Sequence, residues 1–517
     1  SQSTLHPKFD PWHEHPLPSI SLAAMHILSS ATARAWEDAA FTSGTSRSTL
    51  MAEAVHGCFH QINRRWPHPR HALVLAGKGH NGNDALALAA QLRLAGWSVT
   101  TISTVAPHAR ADAPLPEIAA QAEAALLWPA RPASALPPAS LIIDGLLGLG
   151  ASGPARGVTR DLLLWLQQAM PSSAVRLAID GPSGLDLDTG EHDEATFRAD
   201  FTLVLGAIKP GLLLDASLPL VGRLLPIPLP SLDLTPLPPH ELLGETWFGL
   251  SDAQALARPT PVHASKHRRG QLGILAGSRG MDGAAVLAAN AAVASGCGLV
   301  RLWTRLPPDH PLPGLFPEVM RVDDPANLLR QRSSAFVLGP GLGHDPELAR
   351  LLAGFLPNLT VPAVLDADAL NLLALHPELW AKISFPFVLT PHTGELQRLL
   401  GRSFPERKEA AFIASERFGG TLVLKGPHTL VTARESPLSW NASGNPGMAS
   451  GGMGDVLSGV IGTLLAQGYP PLEAARLGVF WHGLAGDQAA SEAREQTVHP
   501  AQVCRFLGRA ARDIWLF

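Results

Sequence analysis

The chain has 517 residues, too many for a single hydrophobic core, and domains of about 100–200 residues point to two or more units. Hydrophobic residues make up 46% and charged residues 16%, the balance of a packed globular protein rather than a disordered one. With 40 Lys and Arg against 44 Asp and Glu the net charge is −4, which excludes a broad cationic field for nucleic acid or an anionic membrane; any phosphate must be held locally.

At the start of the chain, Ser1–Trp12 lacks a basic segment followed by an apolar core. No run anywhere approaches the ~18–20 apolar residues of a spanning helix, so neither an export signal nor a membrane anchor is expected. Cys58, Cys297 and Cys504 are scattered, with neither metal-ligand spacing nor a disulfide framework, and a reducing, cytoplasmic setting is expected. Short apolar runs alternate with amphipathic ones, the pattern of βα units on a mainly parallel sheet, which places both halves in the α/β class. In the first half the predicted strands are His71–Ala76, Leu141–Ile143, Val175–Ile179 and Phe201–Leu205. In the second they are Leu272–Leu275, Ala335–Leu338, Ala363–Leu365, Phe387–Leu389 and Thr421–Leu424. Pro129 to Pro138 is read as an internal loop. Prolines are dense from Leu224 to Pro261, which divides the chain into a domain at 1–230, a Pro-rich linker at 231–262 and a domain at 263–517.

From Ala72 the sequence A-L-V-L-A-G-K-G-H-N-G-N-D passes from strand through a glycine turn into a helix. Gly77, Gly79 and Gly82 fit G-x-G-x-x-G, yet the acidic residue expected about 20 positions on is missing, since Trp97 to Thr104 holds no Asp or Glu. A conventional dinucleotide site is therefore disfavoured against a more general phosphate site at a helix start. Asp144 follows Leu-Ile-Ile and opens D-G-L-L-G-L-G, and Asp180 opens D-G-P-S-G-L-D. Either Asp alone is explained as a turn cap. Three polar loops at one sheet edge favour a site, and Asn81, Asp144 and Ser183 offer oxygen ligands suited to a hard cation.

These motifs, with A-D-F-T-L-V-L-G-A-I-K, resemble the NAD(P)H-hydrate epimerase family over Ile20 to Pro226. The resemblance implies a Rossmann-like three-layer domain. His80, Asn81, Gly82, Asn83 and Asp84 would hold the hydrated nucleotide, together with Gly148, Leu149, Gly150, Ala151, Ser152, Gly153 and Pro154, and Asp180 would contact it. Potassium would sit among Asn81, Asp144 and Ser183. Asp144 becomes the candidate acid/base group at C6 of the hydrated ring, with Lys209 second. The family loop usually reads N-N-G-G-D-G, and His80, Asn83 and Ala85 depart from it here.

In the second half N-P-G-M-A-S-G-G-M-G-D-V-L-S-G-V-I-G runs from Asn445 into a helix with Val456, Val460 and Leu464 on one face. Free N–H groups converge at such a start, where the helix dipole favours an anion. Asp455 sits there and is suited to take a proton from an attacking hydroxyl beside a bound phosphate. Other strand ends carry Gly341, Asp366, Asp368, His392, Glu395, Lys425 and Thr429. With G-S-R-G-M-D-G-A-A from Gly277, these motifs resemble the ADP- or ATP-dependent NAD(P)H-hydrate dehydratase family over His263 to Gln488, which implies a ribokinase-like fold. By that resemblance Lys425, Gly426, Pro427, His428, Thr429 and Gly454 would bind the nucleotide, and Ala284, Gly341, His392 and Asp455 would face the hydrate. Asp282 and Met453 stand where a small hydroxyl residue and Thr are common.

Together the resemblances imply nicotinamide nucleotide repair. An isomerase would interconvert the R and S forms of NADHX and NADPHX, and a lyase would dehydrate the S form with ADP or ATP, giving AMP or ADP and phosphate. Potassium in the first half and magnesium in the second are the implied ions, and a homo-oligomer is expected. The alternative is a vitamin or sugar kinase of the same fold carrying a non-catalytic N-terminal module.

Overall fold

The computed structural model describes residues 25–109, 116–132, 137, 140–238 and 244–516. Ser1–Trp12, Ile20, Asp112, Pro239 and part of the Pro129–Pro138 loop lie outside the described residues. Two parallel-rich sheets with helices on both faces form the molecule, as the alternating apolar runs require.

The first sheet has seven strands, all pairs parallel, in the spatial order Leu126–Leu127, Ser98–Ser103, His71–Ala76, Leu141–Gly145, Val175–Ile179, Phe201–Leu205, Arg223–Ile227. Along His71–Ala76 the side chains alternate between two cores. Ala72, Val74 and Ala76 pack with Val55, Ile62, Leu86 and Leu88 from the helices Arg47–Arg65 and His80–Leu94. Leu73 and Leu75 pack on the other face with Leu162, Leu163 and Leu166 of the helix Gly157–Ala169. The result is three layers, a direct consequence of the period-two pleat. Strand order reverses between His71–Ala76 and Leu141–Gly145, so Gly77–Asn81 and Asp144–Gly148 face each other across the switch where open α/β sheets bind ligands.

The second sheet has ten strands built around Gln271–Leu275, flanked by Leu299–Trp303 on one side and Ala335–Leu338 on the other. Leu272, Ile274, Val337, Val364 and Val388 bury one face against the helices Asp282–Ala294, Met453–Ala466 and Pro471–Glu492. Leu275, Leu338, Leu365 and Leu389 bury the other against Leu352, Leu370 and Leu396. Residues 231–262 are more than a tether. Glu245–Phe248 adds an edge strand to the second sheet, parallel to Leu438–Asn441, and Leu250–Leu256 is a helix started by Asp252, which accepts the Gly249 N–H at 2.9 Å. Prolines flank these elements rather than interrupt them, which is why their density overstated the linker. One apolar cluster runs from Met25, Ile27, Leu212 and Leu220 into Trp247, Leu424 and Leu438, joining the halves.

Candidate functional sites in the two halves

In the first half, glycines let the loops close on each other. A Cβ on Gly77 would stand 1.8 Å from the Leu146 carbonyl oxygen, and one on Gly82 2.0 Å from that of Gly77. The G-x-G-x-x-G pattern is therefore used for contact between loops, while Gly79, at the helix start, has open space beside it. Asn81, Asp144 and Ser183 are brought together, linked by a chain of hydrogen bonds. Asn81 Nδ2 donates to the Leu147 carbonyl at 2.6 Å, Leu147 N–H donates to Ser183 Oγ at 2.9 Å, and Ser183 Oγ donates to Asp144 Oδ1 at 2.7 Å. Asn81 Oδ1 is buried and has no hydrogen-bond partner.

Asp144, the candidate acid/base group, is enclosed by its own loops. It is 0% exposed; Oδ1 also accepts the Leu146 N–H at 3.1 Å, and Oδ2 accepts the Ser183 N–H at 2.7 Å. Burial pushes its pKa up to about 6, with the hydrogen bonds from Ser183 and Leu146 working the other way. A carboxyl enclosed in this way shapes the loops around it and is suited to attracting a cation.

A second polar group lies beside it. Asp180, held at φ 65°, pairs with Lys209, whose Nζ also donates to the Leu205 carbonyl at 3.3 Å. Both side chains are buried. Asp84 is pushed up to about 8 by burial and by the charges of Asp180 and Glu37. Glu37, on the helix Ser30–Thr42, is raised by burial and Asp180. Sequence reasoning missed Glu37 because it lies on a plain amphipathic helix with no motif around it. His80 is exposed at the rim, while Gly148–Pro154 curls over the neighbouring surface, where Gly153 N–H donates to Asp186 at 3.0 Å and Leu149 packs inward.

In the second half the helix Met453–Ala466 starts at Gly452, whose φ of 91° suits glycine. Asp455 lies in its first turn. Its pKa is pushed up to about 7, by burial first, then by Asp366, with Lys425 opposing and Asp368 and Glu395 adding to the rise. Lys425 Nζ pairs with Asp366 Oδ1 at 2.8 Å and lies 3.9 Å from Glu395, while Ser458 Oγ donates to Asp366 Oδ2 at 2.8 Å. Burial works against the Lys425 charge, but Asp366 and Glu395 outweigh it and its pKa rises. A Cβ on Gly454 would stand 3.1 Å from Lys425 Nζ, so the glycine helix start, the lysine and Asp366 form one cluster.

His392 caps the helix Thr393–Leu400, its Nδ1 accepting the N–H groups of Gly394 at 3.0 Å and Glu395 at 3.3 Å. Nε2 of the same ring, on a side chain 55% exposed, lies 3.7 Å from Glu395 Oε1. Gly341, at φ 62°, packs against Met281 and Ala284, bringing the predicted hydrate-facing positions Gly341 and Ala284 together. The Lys425–Thr429 loop is closed by Thr429 Oγ1 donating to the Gly426 carbonyl at 3.1 Å. His428 turns inward instead, its ring 5.1 Å from that of Trp247, and burial lowers its pKa to about 4. The residue is half-buried, with Nδ1 3.4 Å from the Asn441 carbonyl oxygen. Among the described residues no group of three or more His, Cys, Asp or Glu is arranged to hold a metal ion, and no helix is long and apolar enough to cross a membrane.

Comparison with known proteins matches this division. Residues 47–211 match the family described as YjeF-related protein N-terminus, and residues 272–508 match NAD(P)H-hydrate dehydratase. The bifunctional NAD(P)H-hydrate repair enzyme of Escherichia coli K12 is 36% identical over 480 residues, covering 89% of this chain and 88% of its own length. The chain belongs to the bifunctional NAD(P)H-hydrate repair enzymes. The Coxiella burnetii repair enzyme is 35% identical over 484 residues, covering 90% of this chain and 94% of its own. A solved Bacillus subtilis ADP/ATP-dependent NAD(P)H-hydrate dehydratase, co-crystallized with ATP and Mg²⁺, is 26% identical, covers 52% of this chain and 98% of its own, and has a TM-score of 0.46. In this repair enzyme both polar clusters therefore fall within regions that match the two families, Asn81–Lys209 in the first and Asp366–Asp455 in the second.

Proposed function

We propose that this chain repairs hydrated nicotinamide nucleotides, its N-terminal half interconverting the R and S hydrates and its C-terminal half dehydrating the S hydrate at the expense of ADP or ATP. The observation that carries the reading is the joining, in one chain, of the Asp455–Lys425–Asp366 cluster at a glycine helix start with the Asp180–Lys209 cluster at the other switch point.

For dehydration, Asp455 takes the proton of the hydrate's C6 hydroxyl as the hydroxyl oxygen attacks the terminal phosphorus, and AMP or ADP departs. The phosphate ester then leaves C6 with its bonding electrons, loss of a ring proton completes the double bond, and NADH or NADPH results. A carboxyl with a pKa near 7 is well matched to that proton transfer at neutral pH. Backbone N–H groups at Gly454 and the Lys425–Thr429 loop hold the nucleotide, with the Lys425 ammonium facing its charge. The carboxylates of Asp366, Asp368, Glu395 and Asp455 outnumber the one ammonium of Lys425, a setting that would suit magnesium carried in with the phosphates. When bound, magnesium supplies charge neutralisation at the transferring phosphoryl group.

Epimerisation breaks and remakes the C6–oxygen bond, so a proton must reach the departing hydroxyl and be taken from the returning water. We assign this work to Asp180 and Lys209, with Asp84 nearby, and give Asp144 a structural, cation-holding role. The orphaned Asn81 Oδ1, the Ser183 hydroxyl and a buried Asp144 carboxyl fit a potassium ion. When bound it would neutralise Asp144 and fix the loops around the hydrate. The scattered free cysteines support a cytosolic setting. The test is product analysis on purified hydrates: S hydrate with ADP must give AMP, phosphate and NAD(P)H, whereas accumulation of a phosphorylated hydrate would favour a small-molecule kinase.

A further inference from the structure

Among the described residues, polar links from Asp215 and from Arg223 join the halves and end on loops of the phosphate cluster. Asp215 belongs to the N-terminal half. Its carboxylate accepts the Arg407 backbone N–H at 2.6 Å and the Arg407 Nε–H at 2.7 Å, and its own N–H donates to Glu406 at 3.0 Å. Arg407 opens the helix Arg407–Phe418, so one carboxylate from the other half caps that helix and fixes the guanidinium of its first residue. Nη1 of the same guanidinium donates to the Pro427 carbonyl at 2.9 Å, in the middle of Lys425–Thr429. The approach is close: a Cβ on Gly426 would stand 2.6 Å from Arg407 Nη1. Arg407 is only 8% exposed, and its geometry uses the fork of the guanidinium, one edge on Asp215 and one on the loop.

The second link runs from Arg223, which donates to Asp487 Oδ1 at 2.6 Å. Asp487 in turn accepts the Gly444 N–H at 2.9 Å and Asn445 Nδ2 at 3.0 Å, holding the start of the glycine-rich run that leads to Asp455. The N-terminal half thus grips both loops from behind, through Arg407 and through Asp487.

We infer that the N-terminal half is a structural part of the nucleotide site, with Arg407 the positioning residue for the Lys425–Thr429 loop and Asp215 the residue that holds Arg407. This rests on the reading of that loop as nucleotide-binding. Without Asp215 the guanidinium loses its buried partner and the loop its fixed anchor. Nucleotide binding must then order the loop, which weakens binding without altering the groups that act once the nucleotide is in place.

The test uses the full chain, with dehydration of the S hydrate measured against varied ADP and ATP and epimerisation measured on the same preparations. Asp215→Ala is expected to raise the nucleotide KM roughly 10-fold, the scale of a lost charge-assisted hydrogen bond, with kcat, hydrate KM and epimerisation unchanged. Arg407→Lys should do the same, since an ammonium cannot span both partners. Asp215→Ala in the Arg407→Lys background should add little, because the two act as one unit. Asp215→Glu should recover most of the wild-type KM. An unchanged nucleotide KM in Asp215→Ala, or a fall in kcat at constant KM, overturns the inference, as do additive effects in the double variant. If Asp215→Ala fails to fold, the isosteric Asp215→Asn is read by ADP titration calorimetry, with unchanged affinity again overturning it. Failure of the underlying reading looks different, because wild-type dehydration would then show no saturable dependence on ADP or ATP.

Discussion

Lys425 and Asp366 form an ion pair at 2.8 Å, and the second oxygen of Asp366, itself 1% exposed, is closed by Ser458. The pair sets the charge against which Asp455 titrates and presents the ammonium beside Gly454. Lys425→Met removes the cation and strands a buried carboxylate, which should cost about 3 kcal/mol of stability. Denaturant unfolding should show that loss in the second-half transition, with epimerisation retained. Adding Asp366→Asn should restore stability but not dehydration.

Asp455→Asn should lower dehydration kcat by about 10²–10⁴-fold, the range of a lost general base, with R-to-S conversion unaffected. In the wild type the base must be deprotonated, so kcat/KM for dehydration should rise with pH through an apparent pKa near 7. The stability effect has the opposite sense. A carboxyl raised from 3.8 to about 7 by folding contributes fully below its unfolded value and loses that contribution as pH rises through 7. Asp455→Asn should therefore melt higher than wild type at pH 8 without nucleotide, and differ little at pH 4.

Asp180→Asn should reduce epimerisation about 10²-fold while leaving dehydration of the S hydrate intact. Asp144→Asn places an amide N–H against the Ser183 N–H or Oγ–H, both of which donate to Asp144 now. Its expected signature is lower stability of the first half and weaker potassium dependence. A stable Asp144→Asn protein that binds potassium with wild-type affinity but has no epimerisation would return the acid/base role to Asp144.

Asn81→Ala removes the orphaned oxygen and the donor to Leu147. The potassium concentration for half-maximal epimerisation should rise several-fold, with dehydration unmoved; titration with potassium at constant ionic strength reads this directly.

Much of this was legible because it is local. Continuous apolar strands such as Ala335–Leu338 and Thr421–Leu424 are found where the alternating pattern places them, and the glycine run before Asp455 is contiguous. Leu299–Trp303 was not anticipated because Arg301 interrupts the apolar run, its buried guanidinium donating to Gln271 at 3.1 Å. Glu245–Phe248 was hidden by flanking prolines. Asp144 was found as a residue, but its enclosure was not, since the Ser183 groups that surround it come 39 positions later. Arg407 and Arg223 carry no motif at all; their partners lie 192 and 264 positions away, and only the folded chain brings them together.

The most direct test of the account is a single-pot assay of purified R hydrate and purified S hydrate with ADP and magnesium, comparing wild type with Asp455→Asn and Asp180→Asn. Wild type should convert both hydrates to NAD(P)H, Asp180→Asn only the S hydrate, and Asp455→Asn neither, while still equilibrating R with S. Rapid wild-type turnover of S to a stable phosphorylated product, or conversion of R to NAD(P)H by Asp180→Asn at the wild-type rate, would contradict it.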